Sequence, residues 1–256
     1  MKKLALIVIV ILILAFFLSA DVYMKSVERT KPFNIMGKTQ GEKVEIKEQW
    51  FTKNKFAQIG SEYSLIIDYD KEKLFLILHK PKIYYELPTD ISRKKLLDLI
   101  SSHSPKAAEI IKSTKISDVK VNMNQETKKI ANWNCVSSEF EMVFVVPALN
   151  IMPKYKIKVW TTKDLPSSYR GYTQVGEEFF VKYILGMLDI DENSKKELEK
   201  LDAVEGFQVA TEAEVDIFGT KIHVESQCLE VEEKSAPSGI YSVPKGYTKK
   251  TLNIPK

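Results

Sequence analysis

From Val44 onward, most of the chain alternates apolar and polar residues with period two, the pattern of strands with one buried and one wet face. Val44-Glu45-Ile46-Lys47 leads to Trp50. Leu65, Ile67 and Tyr69 share one strand face, and Leu74, Leu76 and Leu78 share a face of the next. Tyr69-Asp70-Lys71-Glu72-Lys73 between them reads as a hairpin turn. Phe140, Met142, Phe144 and Val146 stand opposite Glu139 and Glu141, and Tyr155, Ile157 and Val159 alternate with lysines. Val209, Thr211, Ala213, Val215 and Ile217 alternate with Glu212, Glu214 and Asp216 before Phe218-Gly219-Thr220 turns the chain into 221–231. Such alternation predicts antiparallel strands.

The period changes twice. Leu96, Leu97 and Ile100 repeat at helical spacing, and Ser104-Pro105 restarts a helix bearing Ala107, Ala108, Ile110 and Ile111. Serine suits the cap and proline the first turn. A second helical region is predicted from about Gly176, with Phe179, Phe180, Tyr183 and Met187 as its stripe. Ser194-Lys-Lys-Glu197 reads as a capping box for a short helix with Leu198 and Leu201. Many strands with two helical inserts make an α+β fold around a large antiparallel sheet.

The stretch from Trp50 to Pro88 is apolar on both strand faces. A sheet that curves, with the inserted helices over its concave side, accounts for that. Tyr84 and Tyr85 are adjacent and point to opposite faces. The region from Ser235 holds Pro237, Gly239, Pro244 and Gly246 and is expected to be extended, with a loosely held end from about 250.

Lys2 and Lys3, the 15-residue apolar run Leu4–Leu18 and then Ser19-Ala20 have the layout of a secretory signal peptide. Cleavage after Ala20 leaves a single domain over 21–256, in the periplasm or secreted; an uncleaved segment would instead anchor the chain, its one membrane contact. Taking Lys2 and Lys3 from 38 basic residues leaves 36 against 34 acidic ones. Lysines and acids alternate, which gives a solvated surface and no nucleic-acid patch. Cys228 is in phase with the apolar Ile222 and Val224, and Cys135 with Ser137, Glu139 and Glu141. That phase difference argues against a disulfide.

No recognised catalytic or cofactor motif is present. Asp189, Asp191 and Asn193 open like a calcium loop, but Ser194 and Lys200 replace the glycine and glutamate it needs; a polar turn is expected. His79, His103 and His223 lie far apart, and no G-x-S-x-G elbow or phosphate loop occurs. Asp68 and Asp70 flank a turn, where carboxylates serve the backbone.

The order of the segments "DVYMKSVERT", "IMGKTQ", "EQWFTKNKFA", "LIIDYDKEKLFLILHKPKIYYELP", "ETKKIANWNC", "KIKVWTTKDLP" and "APSGIYSVPKGYTKK" resembles a bacterial family of exported proteins of unknown function. That family is thought to share the LolA/LolB lipoprotein-carrier fold. The resemblance implies an incomplete β-barrel whose concavity, in the carriers, takes up acyl chains. Two functions follow as expectations. One is a non-enzymatic envelope protein holding a lipid or other apolar ligand against Leu65, Ile67, Leu76, Leu78 and Tyr85, with Phe179, Phe180, Tyr183 and Met187 opposite. The other is a structural protein with a packed interior that contacts other envelope proteins.

Overall fold

The computed structural model describes residues 21–35, 37–123, 126–166, 169 and 188–250. The N-terminal apolar run and Phe179, Phe180, Tyr183 and Met187 lie outside them.

Strands β1 (Asp21–Thr30), β2 (Phe33–Ile35), β3 (Lys38–Gln40), β4 (Lys43–Phe51), β5 (Lys55–Ile59), β6 (Tyr63–Asp68), β7 (Lys73–Leu78) and β8 (Ile83–Pro88) come first. Helices α1 (Arg93–His103) and α2 (Pro105–Ser113) follow. Then come β9 (Lys115–Asn122), β10 (Thr127–Ile130), β11 (Trp133–Val145), β12 (Lys154–Thr162), β13 (Asp189–Ile190), helix α3 (Glu192–Glu199), β14 (Phe207–Ile217), β15 (Thr220–Lys234) and β16 (Thr248–Lys249). One 14-stranded sheet runs β13-β9-β11-β12-β14-β15-β1-β4-β5-β6-β7-β8-β16, with β10 beside β9 on the same edge of β11; β2 and β3 form a separate hairpin. The sheet is mixed, because β13 and β16 add parallel strands at its two ends. No ladder joins those ends among the described residues, so the barrel is not closed.

The alternation read from the sequence places β6, β7 and β8 in register. Ile67 faces Leu74 and Leu74 faces Leu87, with Phe56 and Phe51 continuing the row across β5 and β4. This first face joins a core with Val22, Trp160, Phe207, Val209, Cys135 and Cys228, capped by Leu165 and Tyr169. The second face carries Tyr23, Trp50, Ala57, Ile66 and Ile77.

The cover on that second face differs from the sequence expectation. α1 and α2 pack on each other, α2 also packs on the 147–149 turn, and α3 packs on β9, where Leu198 joins Ile116, Val119, Val121 and Met142. Among the described residues, what lies on Ile66 and Ile77 is the C-terminal strap: Ala236, Ile240, Tyr241, Val243 and Tyr247. Its apolar side chains follow no strand or helix period, so the pattern hides their destination.

Local chemistry sets the element ends. Ser104 caps α2 ahead of Pro105, its hydroxyl accepting from the Ala107 N–H at 3.3 Å. α3 is capped by Asp191 rather than Ser194: Asp191 Oδ1 accepts the Ser194 N–H at 2.9 Å and Oδ2 its hydroxyl at 2.7 Å. Asp191 is thus a helix cap, the work expected of a polar turn. Asp68 Oδ1 likewise accepts the Lys71 N–H at 3.2 Å in the β6–β7 turn. At Gly206, φ is +94° and an added Cβ would stand 2.6 Å from the Thr162 carbonyl oxygen. Gly206→Ala is therefore expected to cost about 3 kcal/mol, combining a disfavoured φ with a backbone clash. Urea unfolding checks this; a midpoint unchanged from wild type would show that the β14 entry can move.

Both cysteines are unpaired and buried. Cys135 shares the core with Cys228, contrary to its phase with Glu139 and Glu141: the face of β11 that bears it is buried at Cys135 and Ser137 and turns polar only from Glu139. Burial raises the Cys135 thiol and pushes the Cys228 thiol up to about 12. Neither is expected to react with a thiol reagent at neutral pH until the protein unfolds; rapid titration of one thiol in the native protein would contradict the core arrangement.

Candidate functional site

The first face of β6, β7 and β8 carries three cross-strand rows with different burial. The row Ile67–Leu74–Leu87 belongs to the core, with Ile67 1% exposed. The second row is Leu65–Leu76–Tyr85 and the third is Tyr63–Leu78–Ile83. All six of these side chains are half-buried. Leu65 packs against the core, whereas Leu76, Leu78, Tyr85, Tyr63 and Ile83 belong to no buried cluster of the described residues. Period two puts the six on one face, and antiparallel register sets directly opposed Cβ atoms about 5 Å apart. They form a two-row apolar strip on three strands.

Of the sequence-predicted site residues, the register brings Leu65, Leu76, Leu78 and Tyr85 together on this strip. It assigns Ile67 to the core beside it. Tyr63 and Ile83 were not singled out from sequence, although the same parity count along their strands reaches both.

The strip has a polar margin. Beyond Leu65 the second row continues into Gln58 and Gln49, whose side chains bond to each other, Gln49 Nε2 donating to Gln58 Oε1 at 3.0 Å. Gln49 Oε1 is buried and accepts no hydrogen bond among the described residues. Farther along β4 on the same face, Lys47 Nζ donates to Glu28 Oε2 at 2.6 Å in a half-buried pair, and Ser61 Oγ donates to the buried Glu45 at 3.3 Å. Among the described residues the charges at this margin are paired, so this side of the strip offers amide groups.

The opposite side of these strands is closed. Ser64 Oγ lies 2.8 Å from His79 Nε2, and His79 Nδ1 lies 2.8 Å from Tyr247 Oη. Ser64 is 1% exposed, beneath the strap. The chain of contacts ties the strap to β6 and β7. The Thr248 N–H donates to the Lys82 carbonyl at 2.9 Å and the Lys250 N–H to the Tyr84 carbonyl at 2.8 Å, pinning β16 to the edge of β8. Hydrogen bonds from Lys249 and Lys73 hold the Glu86 carboxyl below its usual value at that edge. No three His, Cys, Asp or Glu side chains converge to hold a metal among the described residues.

No family model matches the chain, and no curated protein matches it. Solved structures give distant likenesses. A structure of PNGF-II is 15% identical with a TM-score of 0.35 over 90% of this chain. This chain spans only 31% of that protein's length. A DUF1329 family protein from Desulfovibrio piger is 7% identical with a TM-score of 0.30, covering 88% of this chain and 90% of its own. A domain from Vibrio parahaemolyticus named for outer membrane lipoprotein sorting is 8% identical with a TM-score of 0.29, covering 86% and 87%. At these scores the likenesses assign no function. Among the described residues no helix is long and apolar enough to cross a membrane.

Proposed function

We propose that this chain is a non-enzymatic protein of the cell envelope that holds an apolar ligand, an acyl chain or similar, along the Leu65–Leu76–Tyr85 and Tyr63–Leu78–Ile83 rows. The observation that carries the reading is the contrast between the faces of the same three strands. The second face is sealed by the strap, while the first keeps a two-row apolar strip half-exposed. Apolar surface of that shape, bordered by a few polar groups, suits a hydrophobic guest. The resemblance read from the sequence implies the same ligand class and the same compartment. The curvature and helical cover that it also implies belong to this proposal.

Native mass spectrometry of the protein purified from its own host under mild conditions tests the reading. A co-purifying lipid that is lost on Leu76→Asp supports it. A ligand-free spectrum, with no binding of added fatty acid or phospholipid, favours the alternative of a structural envelope protein with a self-filled interior.

A further inference from the structure

Among the described residues the two most exposed large apolar side chains are Phe218 at 65% and Met152 at 61%, and Leu149 is also exposed, at 43%. They belong to two adjacent connections at one end of the sheet. Lys154 of β12 pairs with Asp216 of β14, so Met152 and Phe218 each come two residues beyond that last pair, at the same end of the sheet. Leu149 sits in the same β11–β12 connection, which the Val146–Ile151 bridge closes.

Phe218 occupies a costly position. Ile217 pairs with Thr220, leaving the two-residue loop Phe218-Gly219 with φ of 55° and 77°. Both values are positive, a type I′ turn whose first place favours asparagine, aspartate or glycine and penalises a bulky side chain. The ring gains little burial in return. The fold therefore gives no reason for phenylalanine here, whereas an external apolar partner does.

The charges around these tips name the partner. Thr220 Oγ1 donates to the Asn34 carbonyl at 3.1 Å, which brings the β2–β3 hairpin alongside. The segments 31–40, 146–154 and 216–221 contain Lys31, Lys38, Lys154 and Lys221 against one acid, Asp216. Asp216 accepts the Gly219 N–H within the turn at 2.9 Å. Lys31 and Lys221 pair with Glu225 and Glu214, while no ion pair among the described residues holds Lys38 or Lys154. We infer that this protruding apolar, basic end docks on an anionic phospholipid bilayer, with Phe218, Met152 and Leu149 entering the interface. Hairpin tips are convex, which suits insertion between headgroups, and lysines beside them are attracted to anionic lipid.

The test uses the full chain on vesicles of phosphatidylcholine with or without phosphatidylglycerol. An environment-sensitive dye is attached through Phe218→Cys or, as a control on the strap, through exposed Ser238→Cys. On anionic vesicles the dye at 218 is expected to shift to the blue and be quenched by lipids brominated in the acyl chain, and the dye at 238 is not. Leu149→Ser with Met152→Ser is expected to weaken this docking about tenfold. No quenching at 218 on vesicle-bound protein, equal quenching at both positions, or equal quenching on neutral vesicles overturns the assignment. Phe218→Asn gives a second readout: it is expected to raise the Tm by about 2 °C while reducing vesicle binding. A lowered Tm would show that the ring serves the fold and would also overturn it.

Discussion

A chain ending at Lys234 is expected to lose native packing, with stability falling by about 5 kcal/mol or more. The strap from Ala236 to Tyr247 covers Tyr23, Trp50, Ala57, Ile66 and Ile77, the apolar second face of the central strands. Removing it exposes those side chains and the edge of β8 together. Half-burial of five strap side chains contributes roughly 1 kcal/mol each at about 25 cal/mol per Å², an upper figure because the unfolded chain already hides some surface. For a protein stable by some 5–15 kcal/mol that loss is decisive. Urea unfolding by tryptophan fluorescence is the measurement, since Trp50 lies beneath the strap. A truncated chain with an unchanged midpoint would show that the strap only decorates a self-sufficient sheet. Two tyrosines refine this prediction. Tyr247→Phe removes the hydroxyl that meets His79 Nδ1 and is expected to cost about 1 kcal/mol. The Tyr241 hydroxyl is buried with no hydrogen-bond partner among the described residues, and burial pushes its pKa upward. Tyr241→Phe is therefore expected to be neutral or slightly stabilising.

The second large effect concerns the strip proposed to hold an apolar ligand. Leu76 stands between Leu65 and Tyr85, so Leu76→Asp puts a carboxylate in the middle of the second row. The position is half-buried, and the free protein can leave that charge in water. A bound acyl chain would bury it, at a cost of several kcal/mol. Affinity for a fatty acid or phospholipid is expected to fall at least about 100-fold, with folding largely retained. Ile77→Val, one residue away on the sealed face, is expected to cost about 1 kcal/mol of stability and leave binding unchanged. Isothermal titration of both variants separates the two sides of one strand. Equal affinities for wild type and Leu76→Asp would remove the strip from the binding site.

Much of the sheet was legible because the alternation of Leu65, Ile67, Leu74, Leu76 and Leu78 fixes which residues share a face. It also places the β6–β7 turn within Tyr69–Lys73; in the structure the Glu72 N–H donates to the Tyr69 carbonyl at 3.2 Å and β7 begins at Lys73. The strap was not legible, since Ile240, Tyr241, Val243 and Tyr247 lie among prolines and glycines without a period. The two-sided apolarity of β6 to β8 is visible in the sequence, but among possible covers only the helices carry a recognisable period, so the pattern points to them and not to the strap. Cys135 misled for a related reason: one parity count spans a face that is core at one end and polar at the other. Trp160 stands among lysines in sequence yet is 1% exposed, its indole N–H donating to Glu212 at 2.9 Å and Lys128 Nζ lying 3.9 Å above its ring. Those partners come from other strands and leave no local trace. The strip was half legible: parity supplies Leu65, Leu76, Leu78 and Tyr85, while the cross-strand register that makes them contiguous comes only with the fold.

The most direct test of an apolar ligand on that strip is methyl NMR of the full chain titrated with a fatty acid carrying a nitroxide on its acyl chain. The methyl resonances of Leu65, Leu76 and Leu78 are predicted to broaden at substoichiometric ligand, while those of Ile66 and Ile77 beneath the strap stay sharp. Sharp signals from all five residues at saturating ligand, or broadening confined to Ile66 and Ile77, would contradict it.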